Sequence, residues 1–247
     1  MSHLNIRALK TRIFRPRESL LDFLVESVPQ ELIHEKMLIA ITSKIVSLSE
    51  NRLVNTDLTD KDALIRQEAD IYLGKINYGF ALTIKDGHLI PSAGIDESNS
   101  ETGAYILYPK DSFLSAKHLW QGLRERWQIN TLGIIITDSH TTPLRRGVTG
   151  FCLSYWGFHA LRNLVGTKDL FGRELQVTQM NLADGLAAAA VLLMGEGNEC
   201  SPVALLEGAR VDFTAEVDRK ETSISLEEDL YFPLLQPLLQ LQQKPPV

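Results

Sequence analysis

Asp138, Ser139 and His140 close a continuous apolar run, Leu132 to Ile136, and Arg145 and Arg146 follow a few residues on. A carboxylate at the end of a buried strand can hold a divalent cation, and arginines beside it can hold an anionic group such as phosphate. The competing reading is a turn begun by Asp138 and a solvated arginine pair, since strand-end acids commonly form turns. Asp96, Glu97, Ser98 and Asn99 make a second cluster, following Ser92-Ala93-Gly94-Ile95. Oxygen-rich loops of this kind suit hard cations such as Mg²⁺ or Mn²⁺. An Asx turn, with Asp96 and Asn99 bonding their own backbone, uses the same residues. Ser43 and Lys44 come directly after another apolar run, Met37 to Thr42. Hydroxyls and an ammonium there can hold a phosphate, or Ser43 to Glu50 can be the polar face of an ordinary second strand. Glu196 lies between Gly195 and Gly197, where backbone can approach a ligand closely or where a helix simply ends in solvent.

Elements that would position these groups can be read from periodicity. Leu132 to Ile136 is rich in β-branched residues and reads as a strand buried on both faces, as in a helix-covered α/β layer. Ligand crevices in such sheets lie outside the carboxyl ends of the strands. Leu4 to Phe14 and Met37 to Thr42 read as further strands. Ser19 is placed to cap a helix that ends at Pro29. Thr59 to Tyr72 is helical in pattern, and Phe80 to Ile90 is a hairpin turning at Asp86-Gly87. Ala104 to Tyr108 is a short strand, and Asp111 caps a helix whose face is Phe113, Ala116, Leu119, Trp120, Leu123 and Trp127. Gly150, Ser154 and Gly157 suggest close packing, and His159 reads as a packing histidine. Glu174 to Thr178 is a short strand after a turn at Lys168 to Arg173. Asn181 caps a helix, Leu182 to Met194, that is apolar nearly all round and hence expected in the core. Pro202 to Leu206 is the last strand, and the tail from Tyr231 to Val247 packs on a neighbouring surface or frays. The fold class is therefore mixed α/β, with central buried sheets and covering helices.

With 247 residues the chain can bury a large core as one large domain or two small ones. We expect a single domain over 1–247, with 214–247 as a C-terminal extension. A net charge of −6 without a run of Lys or Arg argues against a nucleic-acid groove or an anionic membrane surface. Cys152 and Cys200 lie in no metal-ligand spacing, and no secretory leader is visible, so a reducing cytoplasm is expected. Leu186 to Met194 is too short to cross a bilayer. Phosphate-loop, dinucleotide-binding and Gly-x-Ser-x-Gly fingerprints are all absent, so any nucleotide must be held by another scheme.

Five segments, taken in order, resemble the coenzyme F420-0:gamma-glutamyl ligase family. They are SKIVSLSEN from Ser43, SAGIDESN from Ser92, ITDSHTTPLRRG from Ile136, DLFGRELQVT from Asp169 and ADGLAAAAVLLMGEG from Ala183. The resemblance runs from about Thr42 to about Gly208. It implies the family's own α/β fold, a homodimer, and a GTP-dependent ligase that adds L-glutamate to the lactyl carboxylate of a deazaflavin coenzyme precursor. It implies two divalent cations, Mg²⁺ or Mn²⁺, often with K⁺ as well. Carried over by position, Asp96 and Asp138 would be ligands of one cation, and Ser139 and Glu196 of the second. Ser43, Lys44, Asn99 and the loop Met194, Gly195, Glu196, Gly197 and Asn198 would contact the nucleotide. Arg145 or Arg146 would stabilise the transferred phosphoryl group or hold the acceptor's carboxylates.

The chain departs from the family pattern at definite places. Leu48 stands where the family has a lysine, and Lys44, read on a strand, starts elsewhere. Thr141-Thr142-Pro143 stands for Gly-Arg-Pro, Gly185 for a glutamate, and Glu207-Gly208 for Arg-Gly. Two other activities remain open beside the ligase. One is a catalytically altered member that acts on another acid or only binds nucleotide or metal; the other is a metal-dependent phosphohydrolase using the same carboxylates.

Overall fold

A computed structural model describes residues 3–100 and 103–242. In chain order the elements begin with β1 (Asn5–Leu9), α1 (Leu20–Ser27), β2 (Met37–Thr42), α2 (Ser43–Ser49), β3 (Leu53–Val54) and α3 (Lys61–Glu68). Next come β4 (Ile71–Lys75), β5 (Ala81–Lys85), β6 (His88–Pro91), β7 (Tyr105–Ile106) and α4 (Ser112–Trp127). The chain continues through β8 (Leu132–Thr141), β9 (Val148–Trp156), β10 (Leu161–Asn163) and β11 (Gln179–Asn181). It ends with α5 (Leu182–Met194), β12 (Val203–Glu207) and α6 (Phe232–Gln242). Contacts divide the chain into two compact units. Unit 1 is Met1–Arg52 with Pro109–Thr222, and unit 2 is Leu53–Tyr108 with Ser223–Val247.

Unit 1 is built on a sheet ordered β1-β12-β2-β8-β9. Every pairing is antiparallel except β2 with β8, which run parallel with Ile41 opposite Ile136 and Thr42 opposite Thr137. The central strands β12, β2 and the inner half of β8 are buried on both faces, as their unbroken apolar runs require. Leu38, Ala40, Ile135, Ala204 and Leu206 pack with Ala183, Leu186, Ala187 and Ala190 of α5. The alternate residues Met37, Ile39, Ile41, Ile134 and Ile136 are also fully buried. Helix α4 packs along β8 and β9, with α1 against α4. The Trp120 indole N–H donates to Leu132 O at 2.9 Å. The caps stand where the sequence puts them: Ser19, Asp111 and Asn181 each accept from a backbone amide of the first turn that follows.

In unit 2 the hairpin β5–β6 turns at Asp86 and Gly87, with φ of 49° and 76°. Strand β4 completes that sheet, and β3 pairs with β7. Leu235 of α6 packs on Leu73 and Ile84, so the described part of the tail is helical and seated within this unit. No helix among the described residues is long and apolar enough to cross a membrane.

Several expectations need correction. Strand β1 stops at Leu9 and does not reach Phe14. Helix α3 ends at Glu68, and Tyr72 belongs to β4, where its hydroxyl donates to Asp62. The strand expected at Glu174 to Thr178 is irregular chain, and the pairing residues are Gln179–Asn181. Helix α5 is not buried all round, because Leu192 is 82% exposed and Leu193 is exposed beside it. His159 is exposed, 3.6 Å from a Glu221 carboxylate oxygen.

Glu221 is a clasp that no local pattern announces. Its carboxylate accepts from the Tyr155 hydroxyl at 2.9 Å and from the amides of Ala160 and Leu161 at 2.9 and 3.2 Å. Burial first, and the neighbouring carboxylate second, push the Tyr155 phenol far above its ordinary range. Glu221→Ala leaves the Ala160 and Leu161 amides without their acceptor, while the Tyr155 hydroxyl keeps Asp218 O at 3.0 Å, and should cost about 2–3 kcal/mol. Thermal unfolding should show a midpoint lower by about 5–10 °C; an unchanged midpoint would mean that water replaces the carboxylate at no cost.

Candidate active site

Parallel pairing of β2 and β8 sets both carboxyl ends at one end of the sheet. From Thr42 the chain turns directly into α2, so Ser43 to Ser49 is a helix and not the polar face of a strand. Ile45, Val46 and Leu48 give it a buried side, and Ser47 is small enough to be buried with them. Ser43 is buried and Lys44 half-buried in the first turn. Lys44 and Leu48 are four residues apart on this helix and therefore share a face. The cation in this chain sits one turn nearer the strand end than a residue at position 48 would. It does not start elsewhere on a strand, as expected above.

Strand β8 does not stop at Asp138. It runs to Thr141, pairing Asp138 with Phe151, Ser139 with Gly150 and His140 with Thr149. The intervening loop is only Thr142 to Gly147. A bulge separates the buried half from this outer arm, since Ile136 faces Ser154 while Thr137 faces Cys152. Bulges of this kind re-aim the chain beyond them. Asp138 is half-buried, and its Oδ1 accepts the Ser139 amide at 2.8 Å. The arm lies directly on α5: a Cβ built on Gly150 would fall 2.5 Å from Val191 Cβ and 3.0 Å from Ala187 O. Asp184 fastens it further by accepting the Cys152 amide at 2.9 Å. At the hairpin tip Leu144 is fully exposed with φ 61°, and Arg145 and Arg146 are exposed and form no ion pair among the described residues.

Helix α5 ends at Gly195, with φ 84°, and the chain returns to β12 through the loop that carries Glu196. Pro202 O accepts from the Thr42 amide at 3.0 Å, which ties the end of this loop to the end of β2. Met194 is a core side chain, so only its backbone faces the loop. Glu196, Gly197 and Asn198 are exposed. The carboxylate folded back on this loop belongs to Glu199, whose Oε2 accepts the Gly197 amide at 2.8 Å. A Cβ on Gly195 would sit 2.3 Å from Glu199 Cδ. Reading the sequence singled out Glu196 and missed Glu199; the two glycines were the only signal that a side chain could fold back there. Three of the expected segments thus meet at one end of the unit 1 sheet: the start of α2, the Asp138–Ser139 stretch and the loop after α5.

In unit 2, Ser92, Ala93 and Gly94 all have positive φ, at 52°, 55° and 69°. Glycine is required at the third, since a Cβ there would lie 2.2 Å from the Tyr108 ring. Ser92 Oγ accepts the Ala81 amide and Thr83 Oγ1 the Ala93 amide, at 3.3 and 2.9 Å, which pins this left-handed turn. Asp96 then exchanges both backbone hydrogen bonds with Ile106, at 3.0 and 2.8 Å. Its carboxylate accepts from the Ser98 amide at 2.6 Å and from the Ser98 hydroxyl at 3.2 Å. That is the Asx turn, and it is compatible with a cation, because a carboxylate has about four lone-pair sites. Asn99 is exposed, with φ 55°.

The expected donors, Asp138, Ser139 and Glu196 in unit 1 and Asp96 in unit 2, all offer oxygen, which fits Mg²⁺ or Mn²⁺ and not a soft metal. Within neither unit do three or more His, Cys, Asp or Glu side chains gather closely enough to hold a metal, among the described residues. Mg²⁺ commonly takes one or two carboxylates, waters and substrate phosphates in place of an all-protein cage, so the sparse set suits an ion that arrives with a nucleotide.

The model of the F420-0:Gamma-glutamyl ligase family matches residues 8–208. The chain belongs to that family. Coenzyme F420:L-glutamate ligase of Methanopyrus kandleri is 33% identical over 217 residues, 81% of this chain and 84% of the relative. The protein of the same name from Methanococcus maripaludis strain C7 is 33% identical over 226 residues, 84% and 90% of the two chains. The one from Archaeoglobus fulgidus reaches 41% identity over 146 residues, 59% of this chain and 57% of the relative. As a gamma-glutamyl ligase family member the chain carries β2, β8, α5 and β12 inside the matched region, while the Glu221 clasp and α6 lie beyond it.

The fit of the outer arm on α5 can be tested by overpacking. Gly150→Val places methyl groups where Val191 already stands, and should cost about 1–3 kcal/mol. Chemical denaturation should report that loss; a variant as stable as the parent would show that the arm is free to lift.

Proposed function

We propose that this chain is a GTP- and divalent-cation-dependent ligase of the cytoplasm. It would join L-glutamate to the carboxylate of coenzyme F420-0, or of a similar small acid, through an acyl phosphate. Support comes from the shared name of its relatives and from the family match over most of the chain. The single observation that carries the reading is the parallel β2–β8 pair, whose common end gathers a serine, a lysine and a carboxylate in unit 1.

A carboxylate does not condense with an amine in water, because its oxygen is a poor leaving group. The acceptor's carboxylate oxygen therefore bonds to the γ-phosphorus of GTP while the bond from that phosphorus to GDP breaks. The glutamate nitrogen then bonds to the acyl carbon, phosphate leaves with the C–O electron pair, and the nitrogen gives up a proton. In unit 1 Asp138, Ser139 and Glu196 would be ligands for Mg²⁺ or Mn²⁺, and in unit 2 Asp96 would be one, with K⁺ as a further ion. When bound, the divalent cations neutralise charge on the β and γ oxygens. In unit 1 Ser43 and Lys44 would face the phosphates and the backbone of Met194 to Asn198 would contact the nucleotide, and in unit 2 Asn99 would be a nucleotide contact. Arg145 and Arg146, uncommitted at the hairpin tip, hold the acceptor's carboxylates or the equatorial oxygens in transfer. A homodimer is proposed by resemblance, and Leu192 and Leu144 are exposed apolar groups that a second copy could cover.

One observation favours a second reading. Leu48 is buried on α2 where the family's lysine is expected, so this member could bind nucleotide without ligating, or act on another acid.

The test combines GTP, Mn²⁺, glutamate and an acceptor acid. GDP release that requires all four supports the ligase, and Asp138→Asn should lower it by orders of magnitude while the unfolding midpoint stays within a few degrees. Unchanged turnover in that variant would exclude the assignment. Calorimetric binding of GTP without turnover would support the second reading. Hydrolysis that ignores every acceptor would point instead to a phosphohydrolase.

A further inference from the structure

Lys61 and Glu97, 36 residues apart, meet in unit 2. Lys61 opens α3, which is capped by Asp60 accepting the Ala63 amide at 3.1 Å. Its ammonium hydrogen-bonds the Glu97 carboxylate and lies 5.7 Å from the centre of the Tyr105 ring. Tyr105 is buried in β7, next to the Ile106 that pairs with Asp96. Two successive carboxylates therefore have different partners: Asp96 is held by Ser98 of its own turn, and Glu97 is cancelled by Lys61.

Stability is a poor reason for this pair. The Lys61 and Glu97 side chains are 33% and 51% exposed, and an ion pair so placed shifts a folding equilibrium by about fivefold at most. Charge is a better one. The loop that follows Ile95 would present two adjacent carboxylates to any polyphosphate, and a bound cation would satisfy only the one that ligates it. An uncancelled unit charge ~8 Å from a phosphate weakens its binding by roughly thirtyfold at an effective dielectric of about 20, that of a protein surface.

We infer that Lys61 is a positioning residue for the nucleotide: it neutralises Glu97 and ties the Asp96–Asn99 loop to α3, so that the loop offers a polyphosphate one negative charge and not two. This rests on the reading of Asp96 and Asn99 as cation and nucleotide contacts. Lys61 acts through Glu97 and touches no reacting atom, which separates it from a phosphate-binding lysine.

A double-mutant cycle distinguishes these roles. GTP affinity in the presence of Mn²⁺ is measured by calorimetry for the parent, Lys61→Gln, Glu97→Gln and the double variant, with thermal unfolding of each without ligand. Lys61→Gln should bind GTP roughly thirtyfold more weakly, with an unfolding midpoint within about 2 °C of the parent. Glu97→Gln should bind at least as tightly as the parent, the double variant should return to within about twofold of it, and Lys61→Arg should behave like it. In turnover the Lys61→Gln effect should fall on KM for GTP and leave kcat within about twofold. Parental affinity in Lys61→Gln would overturn the inference, as would a double variant as weak as Lys61→Gln alone, which would mean direct contact with phosphate. A parent that binds no GTP would instead overturn the ligase reading on which the inference stands.

Discussion

The hydrogen bonds between β2 and β8 decide where the polar residues of unit 1 can go. In a sheet otherwise paired antiparallel, this one parallel junction sends two buried strands out at the same end. Ser43 and Lys44 leave from one and Asp138 from the other. Because β12 runs antiparallel to β2, its entry, with the loop from Gly195, is brought to that end as well. Reversing β8 would carry Asp138 to the far side of the sheet, about 20 Å away at ~3.3 Å per residue. Burial on both faces makes the register hard to slip, since a shift of one residue would turn every side chain over.

Beyond the bulge at Thr137 the physics changes. The inner half of β8 is fixed by packing, whereas the outer arm is held by one close approach, Gly150 on Val191, and by the Asp184 carboxylate on the Cys152 amide. Asp184 therefore has a structural job that does not depend on its neighbour. Gly185 has open space around it, so the residue type there is not constrained by packing. The same contrast holds on α2, where Leu48 is buried and Lys44 is not.

Much of the scaffold was legible in the residues alone. Caps at Ser19, Asp111 and Asn181 and the turn at Asp86-Gly87 are local, and the buried strands carry their own signal. Short apolar runs do not distinguish helix from strand, which is why Ser43 to Ser49 read as strand. Asp138 to Thr141 read as a loop because a polar strand is recognised only by its partner, and Val148 to Phe151 supply that pairing from across the turn. Glu199 on Gly195 and Glu221 under Tyr155 are tertiary contacts with no periodicity to betray them. The pairing of Lys61 with Glu97 spans a helix and a hairpin, so neither residue could be weighed from its neighbours. The family likeness, by contrast, was carried by segment order, which survives the changes at Leu48 and Gly185.

If Asp138 holds a divalent cation at the common end of β2 and β8, crystals grown with GDP and MnCl₂ should show it directly. Diffraction recorded at the manganese absorption edge should give an anomalous peak within bonding reach of an Asp138 carboxylate oxygen, adjoining the phosphates of GDP. Bound GDP with no such peak at Asp138, or a peak ligated only by other residues, would contradict the assignment of that carboxylate and the chemistry built on it.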